Sequence, residues 1–236
     1  MRTIDKKLAW MKLKRFMRLY GHLYSDHAKE FINENFIIYL EENMAPDILM
    51  QIYYATGLQP NCGPFYNAHI NKIQEIFGLD KNILEIGSGR IPAFASQVAS
   101  IQKRIGKGTI TLYEPLLMNT KPKHKNMTLH KEDFTENVSI KEFDLIAGIL
   151  PCEITETIIA SSCKAQKDFY VAMCGCTHFE YLSPYMSVNP YVYQDYVIKL
   201  TRDLLSEYDN GELVIDYLPE DEFGIDYPIL YNRKKW

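Results

Sequence analysis

From residue 82 onward the chain alternates short apolar runs with segments of helical period, and this alternation limits the available folds more than any other feature. Residues 83–86 are an apolar run that ends in Gly87-Ser88-Gly89, and a helical segment follows with apolar positions at Ala93, Phe94, Ala95, Val98 and Ile101. Residues 109–113 predict a second strand, ending in Glu114; 127–130 predict a third and 143–150 a fourth. A helix over 153–165 precedes a fifth strand at 169–173, and a helix over 191–208 leads to the last two runs, 213–217 and 227–231. Apolar strands alternating with helices are the pattern of a parallel sheet covered on both faces. The last two strands have only residues 219–226 between them, which predicts an antiparallel hairpin closing one edge.

The first eighty residues read as helices. Leu8, Met11, Leu13, Phe16, Met17 and Tyr20 fall near a 3.6 period among lysines and arginines, and Gly21 can end that helix. Asp26 is placed as an N-cap for a second helix and Pro46 as a first-turn proline for a third that stops at Gly57. Pro64 and Gly78 bracket a fourth over 65–77. The expected division is a helical cap over 1–80 and a sheet domain over 81–236.

The chain has 236 residues, 47% of them hydrophobic and 13% aromatic, enough to bury a core and incompatible with disorder of the whole chain. No apolar stretch approaches the roughly 18 residues of a membrane-spanning helix. The N-terminus, charged from Arg2 through Arg18 without a continuous apolar region, does not read as a secretory signal. Five cysteines without framework spacing favour reduced thiols and a cytoplasmic location. Charge is unevenly spread: residues 1–20 hold seven Lys/Arg and one acid, and 203–226 hold nine acids and no Lys or Arg. The basic segment is either a solvated face or a surface for an anionic partner such as RNA.

In an open parallel sheet, ligands bind beyond the carboxyl ends of the strands, where strand order reverses. Gly87 and Gly89 follow the first strand, where the backbone must turn sharply and admit a ligand without a Cβ in the way. Glu114 follows the second strand, 25 residues after Gly89, where a carboxylate can accept both hydroxyls of a ribose. Asp133 and Phe134 follow the third, offering an acceptor for an amino group and a ring for a base face.

On these residues, together with the run from Asp144 to Glu153 and seven strands ending in a hairpin, residues 65–236 resemble the class I S-adenosylmethionine-dependent methyltransferases. The resemblance implies a seven-stranded Rossmann-like α/β sheet with helices on both faces, preceded by the helical N-terminal segment. It also implies S-adenosyl-L-methionine as cofactor and S-adenosyl-L-homocysteine as product. It implies that Gly87, Ser88 and Gly89 line the methionine and ribose part and that Glu85 helps hold the methionine amino end. Glu114, with Pro115 beside it, goes to the ribose, Asp133 and Phe134 to the adenine. The 148–153 segment, including Gly148 and Leu150, would face the transferable methyl. The loop lacks a third glycine and carries Arg90-Ile91-Pro92 instead. A dinucleotide dehydrogenase is the competing reading of a G-x-G with a later acid, but such loops use the third glycine beside a pyrophosphate.

Methyl transfer is an in-line displacement governed by positioning, and a base is needed only when the acceptor must lose a proton. The acceptor-side candidates are Glu153, His178 and Tyr185. Leu150-Pro151-Cys152-Glu153 stands where amino-methylating relatives carry Asn/Asp-Pro-Pro-aromatic, and its departure argues against exocyclic base-nitrogen methylation by that route. Glu153 either caps the following helix or contacts a cationic acceptor. Cys152, Cys174, Cys176 and His178 have the chemistry of zinc ligands but not the usual spacing, and packing against the pocket wall is the preferred reading. Tyr181 and Tyr185 are assigned to the acceptor pocket, Tyr193 and Tyr196 to packing. The expected activity is methylation of a small-molecule acceptor. The alternatives are an RNA methyltransferase that uses the basic N-terminal helix, a nicotianamine-synthase-like aminocarboxypropyl transferase suggested by Gly87-Ser-Gly-x-x-Pro92, and a non-enzymatic binding module.

Overall fold

In the computed structural model the apolar runs become β1 (Asn82–Ile86), β2 (Thr109–Tyr113), β3 (Met127–His130), β4 (Leu145–Ile149), β5 (Asp168–Ala172), β6 (Glu212–Asp216) and β7 (Ile229–Arg233). The structure describes residues 63–89, 92–117, 120–151, 154–173, 190–218 and 228–234. The expected helices of the first sixty residues lie outside these. The strands join in one sheet, in the order β3-β2-β1-β4-β5-β7-β6. The pairs from β3 through β5 are parallel, and β7 runs antiparallel to both β5 and β6. β4 is buried along its whole length, as its unbroken apolar sequence requires of a central strand.

Four helices are described: α1 (Gly63–Ile76), α2 (Ala93–Ile105), α3 (Thr155–Lys164) and α4 (Pro190–Tyr208). Strand register sorts them onto two faces. Glu85, Ala147, Tyr170 and Tyr231 are register partners and share one face. α1 meets that face, because the His69 ring packs edge-on against Tyr170 and Phe77, just past the helix, does the same against Tyr231. α2 meets it too, the Ala95 backbone N–H donating to Glu85. Gly148 belongs to the opposite face, where a Cβ would sit 2.9 Å from Ile158 of α3. α4 packs on α3 and β6. Helices therefore cover both faces, as expected.

The connections from β2 to β3 and from β3 to β4 differ from the rest. Among the described residues of 114–126 and 131–144 there are turns and bends and no helix. Phe134, Ile140 and Phe143 are buried from the second of these segments and supply the apolar surface a crossover helix would otherwise provide. The chain separates into two compact units, Met1–Pro64 and Phe65–Trp236. The helix read from sequence as the last of the cap thus packs with the sheet, joined to it by His69 and by the Lys72–Asp216 ion pair.

The antiparallel insertion is held by Asn232. Its Oδ1 accepts the Phe169 N–H at 2.9 Å, and its Nδ2 donates to the carbonyls of Asn210 at 3.0 Å and Lys167 at 3.3 Å. The residue is buried, so removing it strands backbone groups away from water. Asn232→Ala is expected to cost about 2–4 kcal/mol, read as a fall in melting temperature of roughly 4–15 °C.

Candidate active site

The strand order reverses between β1 and β4, and the loops leaving those two strands touch. Gly87 has φ +77°, which a side chain tolerates poorly, and a Cβ there would lie 3.2 Å from the Pro151 Cα. Its N–H donates to the Tyr113 carbonyl at 3.2 Å, which ties the glycine turn to the end of β2. Gly89, with φ +69°, is the second left-handed residue of the turn, and a Cβ built on it would meet none of the described residues within 4 Å. The turn therefore presents open backbone at the crevice. Ser88 directs its hydroxyl to the Gly89 carbonyl at 3.0 Å.

Glu114 joins this turn. The Gly89 N–H donates to Oε2 at 2.8 Å and the Leu116 N–H to Oε1 at 2.8 Å. The carboxylate is buried, and its own N–H donates to the His130 carbonyl at 3.0 Å. Each oxygen has accepted one backbone donor and keeps lone-pair capacity for a second. Two residues 25 apart in sequence thus meet through one hydrogen bond. Pro115 is exposed and Leu116 is 53% exposed beside this carboxylate.

Glu85 is the most unusual group in the site. It is 1% exposed, takes the Ala95 N–H at the start of α2, and its Oε2 has no hydrogen-bond partner. Burial pushes its carboxyl up to about 8; the Ala95 N–H opposes this and the Glu114 charge adds to it. An orphaned carboxyl oxygen, an open glycine face and a carboxylate with spare lone pairs suit a ligand that brings a cation and paired hydroxyls. S-adenosylmethionine, with its ammonium and ribose diol, fits that donor set. Among the described residues no group of three His, Cys, Asp or Glu could hold a metal ion.

At the end of β3 the rings of Tyr113 and His130 stack at 4.3 Å with an interplanar angle of 7°, and Phe134 meets Tyr113 edge-on at 6.0 Å. Phe134 is 5% exposed, and Asp133 beside it is exposed. The register pairing of Tyr113 with His130 places both residues at the same end of the sheet as Glu114. Gly148 is different. Its missing side chain lets Ile158 and Pro151 pack closely, at 2.9 and 3.0 Å from where a Cβ would be, so its open face is taken by protein. Leu150 has φ +56° and is buried, its N–H donating to the Ala172 carbonyl at 2.9 Å.

Leu150 lines a small cavity at the carboxyl ends of β4 and β5 with Phe65, His69, Met173, Leu218 and Ile229. His69 is the polar group there, and the sequence reading did not single it out. Its Nδ1 lies 2.8 Å from the Tyr170 hydroxyl and its Nε2 has no partner. Burial, aided by the Lys72 charge, lowers its imidazole to about 3, so the ring is neutral at ordinary pH. The available signal was its place four residues after Phe65 on the apolar stripe of α1.

The acceptor-side candidates Glu153, His178 and Tyr185, together with Cys152, Cys174, Cys176 and Tyr181, lie outside the described residues. Tyr193 is buried as expected, whereas Tyr196 is 36% exposed and reaches Glu156 of α3 at 3.2 Å. Cys163 is a free thiol pushed up to about 12 by burial and packs as an inert residue.

A dinucleotide dehydrogenase sheet runs parallel to its last strand; here β7 runs antiparallel between β5 and β6. This is the class I methyltransferase fold. No protein-family profile matches the chain, and no curated protein matches it. Solved structures similar to it include the plantazolicin methyltransferase BpumL in complex with a triazolic desmethylPZN analog and SAH, at 11% identity and TM-score 0.46, over 98% of this chain and 100% of that one. Another is a 16S rRNA (adenine(1408)-N(1))-methyltransferase from Catenulisporales acidiphilia, at 9% identity and TM-score 0.43, over 71% of this chain and 89% of that one. Coclaurine N-methyltransferase bound to N-methylheliamine and SAH matches at 17% identity and TM-score 0.38, over 80% of this chain and 63% of that one. Among the described residues of this methyltransferase fold no helix is long and apolar enough to cross a membrane.

Proposed function

We propose that the chain transfers the methyl group of S-adenosylmethionine to a small-molecule acceptor. The observation that carries this reading is the Glu114 carboxylate, held between the Gly89 and Leu116 N–H groups with a second acceptor site left on each oxygen. In this reading Glu114 takes the ribose hydroxyls, and Gly87, Ser88 and Gly89 let the backbone approach the sugar and methionine. Glu85 receives the methionine ammonium at its free Oε2, while Pro115, Asp133 and Phe134 border the adenine. Bound cofactor supplies an electrophilic methyl on a sulfonium. The protein's part is to align an acceptor with that methyl and to exclude water.

The acceptor would enter past Leu150 and Met173, against the apolar wall that contains the neutral His69. Glu153, His178 and Tyr185 are assigned to the acceptor side, with His178 as proton acceptor where the acceptor must lose one. Reduced cysteines fit a cytoplasmic protein.

Calorimetric titration with S-adenosylmethionine and S-adenosylhomocysteine tests the reading, with binding of both expected. Turnover should release S-adenosylhomocysteine, whereas methylthioadenosine would mean aminocarboxypropyl transfer. A folded protein that binds neither ligand overturns the proposal.

A further inference from the structure

A cavity of about 690 Å³ opens at the amino ends of β2 and β3, the end of the sheet opposite the glycine turn. Its wall carries Lys103, Lys107, Lys123, His124 and Lys125, and among the described residues no carboxylate lines it. Lys107 is paired with Asp80 at 2.9 Å. Lys103, Lys123 and Lys125 are exposed and make no ion pair among the described residues. Lys103 lies in the last turn of α2, where a cation also offsets the helix dipole. No such role accounts for Lys123 and Lys125, which precede β3.

The floor is built rather than fluid. Gln102 Nε2 donates to the carbonyls of Leu79, Lys81 and Thr109 at 3.1, 2.9 and 3.2 Å, and Asn126 Nδ2 donates to the Ala99 carbonyl at 3.0 Å. These bonds hold the 102–108 and 123–126 segments in fixed relation, so the ammonium groups face a preformed hollow. Lys103, Lys123 and Lys125 share one sign along a concave wall, which attracts polyanions even in a chain of net charge −4.

We infer that this cavity holds the phosphodiester backbone of single-stranded nucleic acid. A planar membrane cannot enter a hollow. Duplex DNA, with a persistence length of about 150 bp, resists bending into one, whereas a single strand follows it. The wall offers no Phe, Tyr or Trp on which bases could stack, so contact is to phosphate and carries no sequence preference. The inference goes beyond the proposed methyl transfer and does not depend on it.

Fluorescence anisotropy of the full chain with labelled 12-mers of oligouridylate and oligothymidylate, over about 50–200 mM salt, tests it. The variant Lys103→Glu/Lys123→Glu/Lys125→Glu should bind at least tenfold more weakly. The slope of log affinity against log salt should fall by about 2, given ~0.7 per phosphate contact on a single strand. A control of equal charge change on α3 and α4, Lys164→Glu/Lys199→Glu/Arg202→Glu, should stay within about threefold, because charges beyond a Debye length are screened. Neutralising Lys12, Lys14 and Arg15 should leave the cavity-dependent part of the slope in place. All variants should keep the wild-type melting temperature and affinity for S-adenosylmethionine. Glu114→Ala should leave oligonucleotide binding unchanged, which separates failure here from failure of the methyl-transfer reading. Three results would overturn the inference: no salt-dependent binding of either 12-mer, equal loss in the control variant, or binding of free nucleoside triphosphate in preference to both strands.

Discussion

Glu114→Ala is expected to weaken S-adenosylmethionine binding by about 100-fold, from the loss of two charge-assisted hydrogen bonds. The carboxylate accepts the Gly89 and Leu116 N–H groups, so its removal takes away the assigned ribose acceptors and also the tie that sets the glycine turn. Stability should change much less. Gly89 is half-buried and Leu116 exposed, so water can satisfy their N–H groups once the side chain is gone. Glu114→Gln keeps one acceptor oxygen but turns an amide NH2 toward one of the two backbone donors. About tenfold weaker binding is expected for it. Calorimetry on the two variants, with thermal melts as the folding check, separates a ligand contact from a scaffold contact. Unchanged affinity in Glu114→Ala would remove the cofactor reading.

The second large effect concerns Glu85 and has opposite signs for stability and binding. Its carboxyl, at about 8 in the folded protein against 4.5 in the unfolded chain, stays protonated when the unfolded chain has released its proton. The folded state therefore has the advantage of the neutral carboxyl in full below pH 4.5. That advantage falls as pH rises, and it is gone above about 8. Glu85→Gln is neutral at every pH. Its stability relative to wild type should climb across this window and level off above pH 8, with a total change of about 5 kcal/mol. Urea denaturation at pH 5, 7 and 9 measures it, and a difference independent of pH would contradict the buried, ionisable assignment.

The same substitution should weaken cofactor binding, because an amide cannot become the counter-ion of the methionine ammonium. Binding to wild type at pH 7 should also release a fraction of a proton as Glu85 ionises. That proton appears as a dependence of binding enthalpy on buffer, absent in Glu85→Gln. A buried group that costs stability and serves a ligand is what a functional site tends to retain.

Much of the site was legible because its signals are local. An acid directly after an apolar strand and a glycine pair that ends another are marks of short-range chemistry, and the structure has Glu114 directly after β2 and Gly87 and Gly89 directly after β1, joined by one hydrogen bond; that they hold a cofactor is the proposal made above. Gly148 has a packing role for which the sequence holds no local signal. Adjacency to the methyl-facing segment suggested a ligand contact, but its alternation on β4 turns it toward Ile158 on the other face. The protonated state of Glu85 had no local signature, since desolvation depends on what packs over a side chain. His69 was likewise hidden, as its partner Tyr170 is 101 residues away.

Residue order alone determined the succession of strands and helices, the turns that end them and the parallel first half of the sheet. Periodicity, glycine conformation and proline placement act over a few residues and are written in the neighbours of each position. Tertiary structure decided the placement of β7 between β5 and β6, the irregular crossovers around β3, the isolation of Glu85 and the gathering of lysines from two loops around one hollow. Each of these depends on which faces meet after the chain collapses, and that meeting is settled by burial and hydrogen-bond satisfaction over the whole sheet.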